Sequence, residues 1–334
     1  MESDNVFRNC GSQKWSLKLS KDLLLDGLSM IGGPIGRYAM KEKQIRNPEA
    51  VHVDVFGGEI VRVAYEGKLP EDGLTLFNDV KEMLKARPRR LQVKEVDERK
   101  IDVIHSPIKC HQELSKMAKH AQELLLYNLG APKHSVELIK HLPGTFKYVD
   151  IRGCALRPVD LVPFLGKLSE NDRLERLIVE QEDIPDPIGL ALVDLLDGSR
   201  WRFINIFFRT CGPRFLEAMM SWWDQASPSQ DRRKLIVKMN SPKSRLVVEP
   251  LKSFMSPKDA KKFDNACFGG PEDEEVDEEH FDEISLGSED GQKEEEKVED
   301  VEEPIEPLIF DLNHPAGKYA RVKKDDAFLE LQIC

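Results

Sequence analysis

Residues 174–238 read LERLIVEQEDIPDPIGLALVDLLDGSRWRFINIFFRTCGPRFLEAMMSWWDQASPSQDRRKLIVK. Short apolar runs and longer helix-period runs alternate through this stretch. Leu174–Val179, Phe203–Phe208 and Lys234–Lys238 are β-branched or aromatic and strand-length, whereas Ile188–Leu196 and Pro213–Gln225 repeat with helical period. Pro185, Pro187 and Pro213 stand between a strand and the next helix. Proline is favoured there because the first helical N–H has no partner to lose.

Working outward, the same unit recurs. Toward the N-terminus the spacing predicts helices over Leu74–Lys85, Ile108–Gln122, Val136–His141 and Val159–Leu168, each followed by a strand: Leu91–Val96, Glu123–Tyr127, Phe146–Ile151 and Leu174–Val179. The strand centres Leu125, Val149, Ile178, Ile206 and Ile236 lie 24, 29, 28 and 30 residues apart. That is the leucine-rich-repeat period, without the regular L-x-x-L-x-L-x-x-N text. The predicted fold is therefore an α/β, irregular leucine-rich-repeat-like solenoid of strand–helix units. A doubly wound sheet alternates in the same way, but no glycine-rich phosphate turn follows any strand. Strand order separates the two: sequential for a solenoid, reversing midway for the doubly wound sheet.

Flanking segments complete the division. Residues 1–47 form an N-terminal helical segment in which Leu17, Leu19, Leu23, Leu24 and Leu28 share a stripe behind an N-cap at Ser20, ended by Gly32-Gly33-Pro34. Residues 48–267 hold a hairpin and the repeat. In the hairpin, Val51, Val53 and Val55 alternate before Gly57-Gly58, and Ile60–Tyr65 returns. Residues 268–307 are an acidic insert expected to be disordered. Between Glu272 and Glu303 there are 18 acids and 2 lysines, a balance of −16. Such a segment repels itself and has little apolar surface to bury. Residues 308–334 carry three short strands, predicted to complete the repeat domain.

The net charge of −11 is therefore local. Without the insert, 42 acids stand against 47 bases, or +5. A balance of +5 is weak support for nucleic-acid binding, which usually shows a clustered basic patch or stripe, and no nucleic acid is expected as a partner. The 6 cysteines include no C-x-x-C pair, which argues against zinc ribbons and a disulfide framework. Met1–Trp15 has no apolar core of a secretory signal, and no run reaches membrane-spanning length. The expectation is an intracellular protein, cytoplasmic or nuclear, that does not enter a membrane.

No phosphate-loop, dinucleotide, H-E-x-x-H or nucleophile-elbow motif occurs, so neither catalytic nor cofactor nor metal residues are assigned. Cys110, His111 and His120 share a predicted helix without further ligands, and Asp183 and Asp186 suit turn caps. Arg87-Pro-Arg-Arg90 suits a solvated helix end. Trp222 and Trp223 close the Pro213 helix, where one must lean outward, and an exposed tryptophan suits a binding surface.

The repeat from Leu74 to Lys238, with the closing text Phe310-Asp-Leu-Asn-His-Pro and Leu329-Glu-Leu-Gln-Ile333, resembles the nematode-expanded family of F-box and F-box-associated proteins. The resemblance implies an N-terminal helical box that docks on the Skp adaptor of a cullin-RING ubiquitin ligase, and a repeat region that holds the substrate protein. Leu17–Met40 occupies the place of the box, but its opening Leu-Pro is missing and Gly32-Gly33-Pro34 interrupts its second helix. The expected function is a non-catalytic protein-interaction module, with Leu23, Leu24, Leu28, Trp222 and Trp223 facing partners. The alternative is an enzyme on a doubly wound sheet.

Overall fold

The computed structural model describes residues 21–31, 33–67, 73–77, 79–96, 110–130, 136–198, 200–226, 233–240, 244–269, 307–314, 318–325 and 327–333. The Ser20 cap, the start of the helix predicted from Ile108 and the acidic stretch Glu272–Glu303 lie outside these residues.

Helices α1 (Lys21–Ser29) and α2 (Gly33–Arg46) lead into the hairpin β1 (Ala50–Phe56) and β2 (Glu59–Glu66), then β3 (Leu74–Leu76) and α3 (Val80–Lys85). Strand–helix units follow: β4 (Arg90–Glu95) with α4 (His111–Ala118), β5 (Glu123–Tyr127) with α5 (Glu137–His141), and β6 (Tyr148–Cys154) with α6 (Pro158–Ser169). Next are β7 (Arg176–Ile184) with α7 (Asp186–Gly198), β8 (Phe203–Cys211) with α8 (Pro213–Gln225), and β9 (Lys234–Asn240) with α9 (Arg245–Lys252). The chain closes through α10 (Pro257–Phe268), β10 (Leu308–Asn313), β11 (Tyr319–Lys324) and β12 (Phe328–Ile333).

All strands join one 12-stranded sheet in the order β10-β11-β12-β9-β8-β7-β6-β5-β4-β1-β2-β3. From β4 to β9 neighbours are parallel and follow chain order, with no reversal. A doubly wound sheet would reverse at a switch point, so that alternative does not describe this sheet. β1 pairs parallel with β4, and β12 pairs antiparallel with β9. The hairpin turn falls at Gly57 and Gly58, whose φ of 58° and 88° a residue with a Cβ adopts rarely.

One face of these strands is buried, and its residues align across the sheet: Leu91, Leu124, Val149, Leu177, Ile204, Leu235 and Ile333; in β7 Ile178, on the other face, is buried as well. The helices lie side by side in chain order over that face. Consecutive units are stitched by polar groups reaching back about one repeat. Asn171 Nδ2 donates to the Phe146 carbonyl at 2.9 Å, and Gln181 Nε2 to that of Leu156 at 2.9 Å. The Cys154 thiol accepts from Leu129 N–H at 3.4 Å, and the Asp186 carboxylate accepts from Arg214 N–H at 3.1 Å. Such bonds satisfy backbone groups that strands and helices leave open at their ends.

Two sequence expectations need correction. The stretch read as one helix from Leu74 begins as strand β3, because an edge position beside β2 rewards extended backbone; the helix starts only at Val80, behind Asp79, whose carboxylate accepts from Glu82 N–H. Phe268 belongs to α10 and packs against the core, so it is not part of the acidic insert. The five strand centres do lie in one sheet in chain order, although Val149 and Ile206 stand one residue out of register with Leu125, Ile178 and Ile236. Asp150 and Asn205 are in register with those three, and one residue along a strand reverses the side-chain direction.

Candidate functional site

The second face of the sheet is the candidate site. No described helix covers it, and its residues form ordered rows across the strands. One row runs Arg90, Glu123, Tyr148, Arg176, Phe203, Lys234. The next runs Gln92, Leu125, Asp150, Ile178, Asn205, Ile236, Gln332. Toward the carboxyl ends follow Glu180 and Phe207, then Lys238 and Glu330.

Most charges on this face are already paired. Glu123 accepts from Arg89 at 3.2 Å and Arg90 at 2.9 Å, Arg152 donates to Asp150 at 2.8 Å, and Arg209 lies 3.5 Å from Glu182. Lys238 pairs with Glu330. Burial raises the Glu330 carboxyl, but the bonds from Lys238 and Gln332 hold it below the usual range. Tyr148 donates to Glu175 at 3.0 Å, which pushes its phenol up.

Two open-sided depressions mark the face. One, of about 430 Å³, has Leu125 and Ile178 among its lining, with Tyr148, Asp150, Arg152 and Arg176 around them. The other, of about 330 Å³, lies toward the strand C-termini between Gly153, Glu180, Glu182, Phe207, Arg209 and Asn240. Apart from the Tyr148 phenol on Glu175, neither depression sets a hydroxyl or thiol of its lining against a base, the arrangement that acyl or phosphoryl transfer needs. Among the described residues no three His, Cys, Asp or Glu side chains converge to hold a metal. No helix there is long and apolar enough to cross a membrane.

The described thiols are not activated. Burial pushes Cys110 and Cys267 up to about 11, and Cys154 and Cys211 up to about 12. A thiolate is the reactive species. In the folded protein at pH 8, Cys154 is expected to resist a disulfide-exchange reagent that labels it in urea. Equal labelling rates in both states, followed by mass spectrometry of the Cys154 peptide, would contradict this burial.

The residues singled out in the sequence are scattered. Trp223 is 2% exposed, edge-on to Phe254 and His314, so it offers no surface to a partner; the core under α8 claimed it. Trp222 is half-buried against Trp201. In α1, Leu25 is buried and Leu24 and Leu28 are half-buried; Leu23 lies in the same helix. The exposed apolar side chains cluster further along, at Met30, Ile31, Ile35, Tyr38 and Met40. Arg87–Arg90 lies at the start of β4, where Arg89 and Arg90 serve Glu123. Sequence reading missed Tyr148, Arg176, Glu180 and Phe207, which only the register brings onto one face.

Comparison with protein-family models, curated proteins and solved structures returns no match.

Proposed function

We propose that the chain is a non-catalytic protein-interaction module: an irregular leucine-rich-repeat-like solenoid whose uncovered sheet face holds a substrate protein. In this reading α1 and α2 dock on the Skp adaptor of a cullin-RING ligase. The observation that carries the reading is the uncovered face of β4–β9, where ionisable groups are spread in pairs and do not converge on one point. Protein-binding surfaces have this character, an apolar interior with a polar rim, whereas enzymes concentrate perturbed groups in a cleft.

The adaptor arm is supported by α1 and α2. Met30 is 86% exposed and Tyr38 68% exposed, and large apolar groups grouped this way mark interaction sites. The test is purification of the tagged protein, probed for the adaptor and a cullin, beside the variant Leu24→Asp with Leu28→Asp. Both leucines are only half-buried, so the variant should lose the adaptor and about 1–2 kcal/mol of stability at most. Adaptor absent from the parent purification, or collapse of the variant's melting curve, would remove this arm.

A further inference from the structure

On β7 the three consecutive side chains of the uncovered face are Arg176, Ile178 and Glu180. Among the described residues neither Arg176 nor Glu180 has an ion pair within 4 Å, while Arg152, Arg209, Lys238 and Glu123 all do; the cation that Glu180 does feel, Arg152, is held by Asp150. Each has an aromatic neighbour on β8. The Arg176 guanidinium lies 5.2 Å from the centre of the Phe203 ring, which orients it. Glu180 is in register with Phe207, whose ring is 5.7 Å from that of Phe328. Arg176 and Ile178 line the first depression and Glu180 and Phe207 the second, so β7 joins the two. Asn205, in register with Ile178, has a buried Oδ1 that accepts no hydrogen bond from a described residue.

We propose that this strip binds an extended polypeptide segment of a partner in which an acid and a base lie four residues apart with an aliphatic residue midway. The inference rests on the reading of the uncovered face as a protein-binding surface. Alternate side chains of an extended chain point the same way and advance about 6.6 Å per two residues. Positions i, i+2 and i+4 of the segment therefore repeat the spacing of Arg176, Ile178 and Glu180. An extended segment laid on a sheet aligns within about 30° of its strands, which sets the three partner side chains over these three. The acid meets Arg176, the aliphatic group caps the small part of Ile178 that neighbouring side chains leave open, and the base meets Glu180 beside Phe207. Charge complementarity makes the segment mixed in sign; a wholly acidic or basic one leaves one end facing a like charge.

The experiment uses the full chain and three fluorescein-labelled peptides, read by anisotropy at low salt. They are Gly-Glu-Thr-Leu-Thr-Arg-Gly and its two single-sign versions, with Glu or Arg at both ends of the triplet. The mixed peptide should bind about five-fold more tightly than either single-sign peptide, the factor expected from about 1 kcal/mol per exposed pair. Arg176→Glu should move the preference to the two-arginine peptide, and Glu180→Lys to the two-glutamate peptide. Both positions are on the uncovered face, and unchanged melting curves would verify that the variants fold. The proposal falls if the peptides bind equally or not at all, or if neither variant moves the preference. It also falls if a single-stranded RNA of about 12 nucleotides outcompetes the mixed peptide, since that assigns the strip to phosphate. Failure with the adaptor still co-purifying leaves the module reading intact, whereas loss of the adaptor with the peptide preference retained removes only the ligase arm.

Discussion

Deletion of residues 307–334 is expected to unfold the chain, and the reason is that β10–β12 form the floor beneath the last two helices. β12 continues the sheet beyond β9 over six paired residues, from Phe328 opposite Asn240 to Ile333 opposite Leu235. Phe310, Leu312, Val322, Leu329 and Leu331 are buried, and Phe310 meets Phe263 of α10 edge-on at 5.3 Å. Lys318 donates to the carbonyls of Trp223 and Asp224, and Asn313 N–H to that of Phe254. The deletion removes these anchors and leaves Phe263 without its ring partner and β9 as an open edge. At about 1.5–3 kcal/mol per large buried side chain, the loss is on the order of 10 kcal/mol. That is comparable to the whole stability of a typical domain. Urea titration followed by circular dichroism should show the truncated chain unfolded or melting at much lower urea. A midpoint equal to that of the full chain would mean that β10–β12 are an accessory.

The alternation of strand and helix was legible in the sequence because proline and glycine punctuate it and each element has its own period. Which side of a strand faces the helices was not. In Phe203–Phe208 both parities are apolar: Phe203 and Phe207 on the uncovered face, Ile204, Ile206 and Phe208 beneath it. Period-2 reading has nothing to choose between there. Lys234–Lys238 is easier, because its lysines mark the wet side and leave Leu235 and Val237 for the core. Helices α9 and α10 escaped notice because Pro250 lies inside the first and the second reads as lysine-rich, although its Ser256 cap accepts from Asp259 N–H in the ordinary way. The candidate site was illegible for a different reason. Arg176, Ile178 and Glu180 look like any strand in the chain, and what sets them apart is that neither Arg176 nor Glu180 has an ion pair within 4 Å among the described residues, which depends on register.

The second large effect is expected at the packing of α7 on α8, and it comes as a coupled pair. Phe215 is 1% exposed, edge-on to Phe208 with ring centres 5.6 Å apart. Across from it lies Gly189, where a Cβ would stand 2.8 Å from the Phe215 Cβ and 2.9 Å from a ring carbon. The glycine is there so that the two helices can approach this closely. Phe215→Ala should cost about 3–5 kcal/mol, the usual loss for an emptied aromatic site. Gly189→Ala has two opposing terms. A helical alanine is better than glycine by about 1 kcal/mol, but overpacking costs about 1–3 kcal/mol. The contact is with a Cβ and a ring root, neither of which can swing away, so overpacking wins and the single variant is destabilised. With the ring gone, α7 and α8 have room to shift by the fraction of an ångström that the remaining Cβ–Cβ contact requires. Gly189→Ala should then become neutral or stabilising, and the double variant should be more stable than the sum of the singles by about 1–3 kcal/mol. Urea midpoints of the four proteins measure this coupling directly. Additive losses would show that Gly189 and Phe215 do not set the spacing of the two helices, and that another contact holds the units at their observed separation.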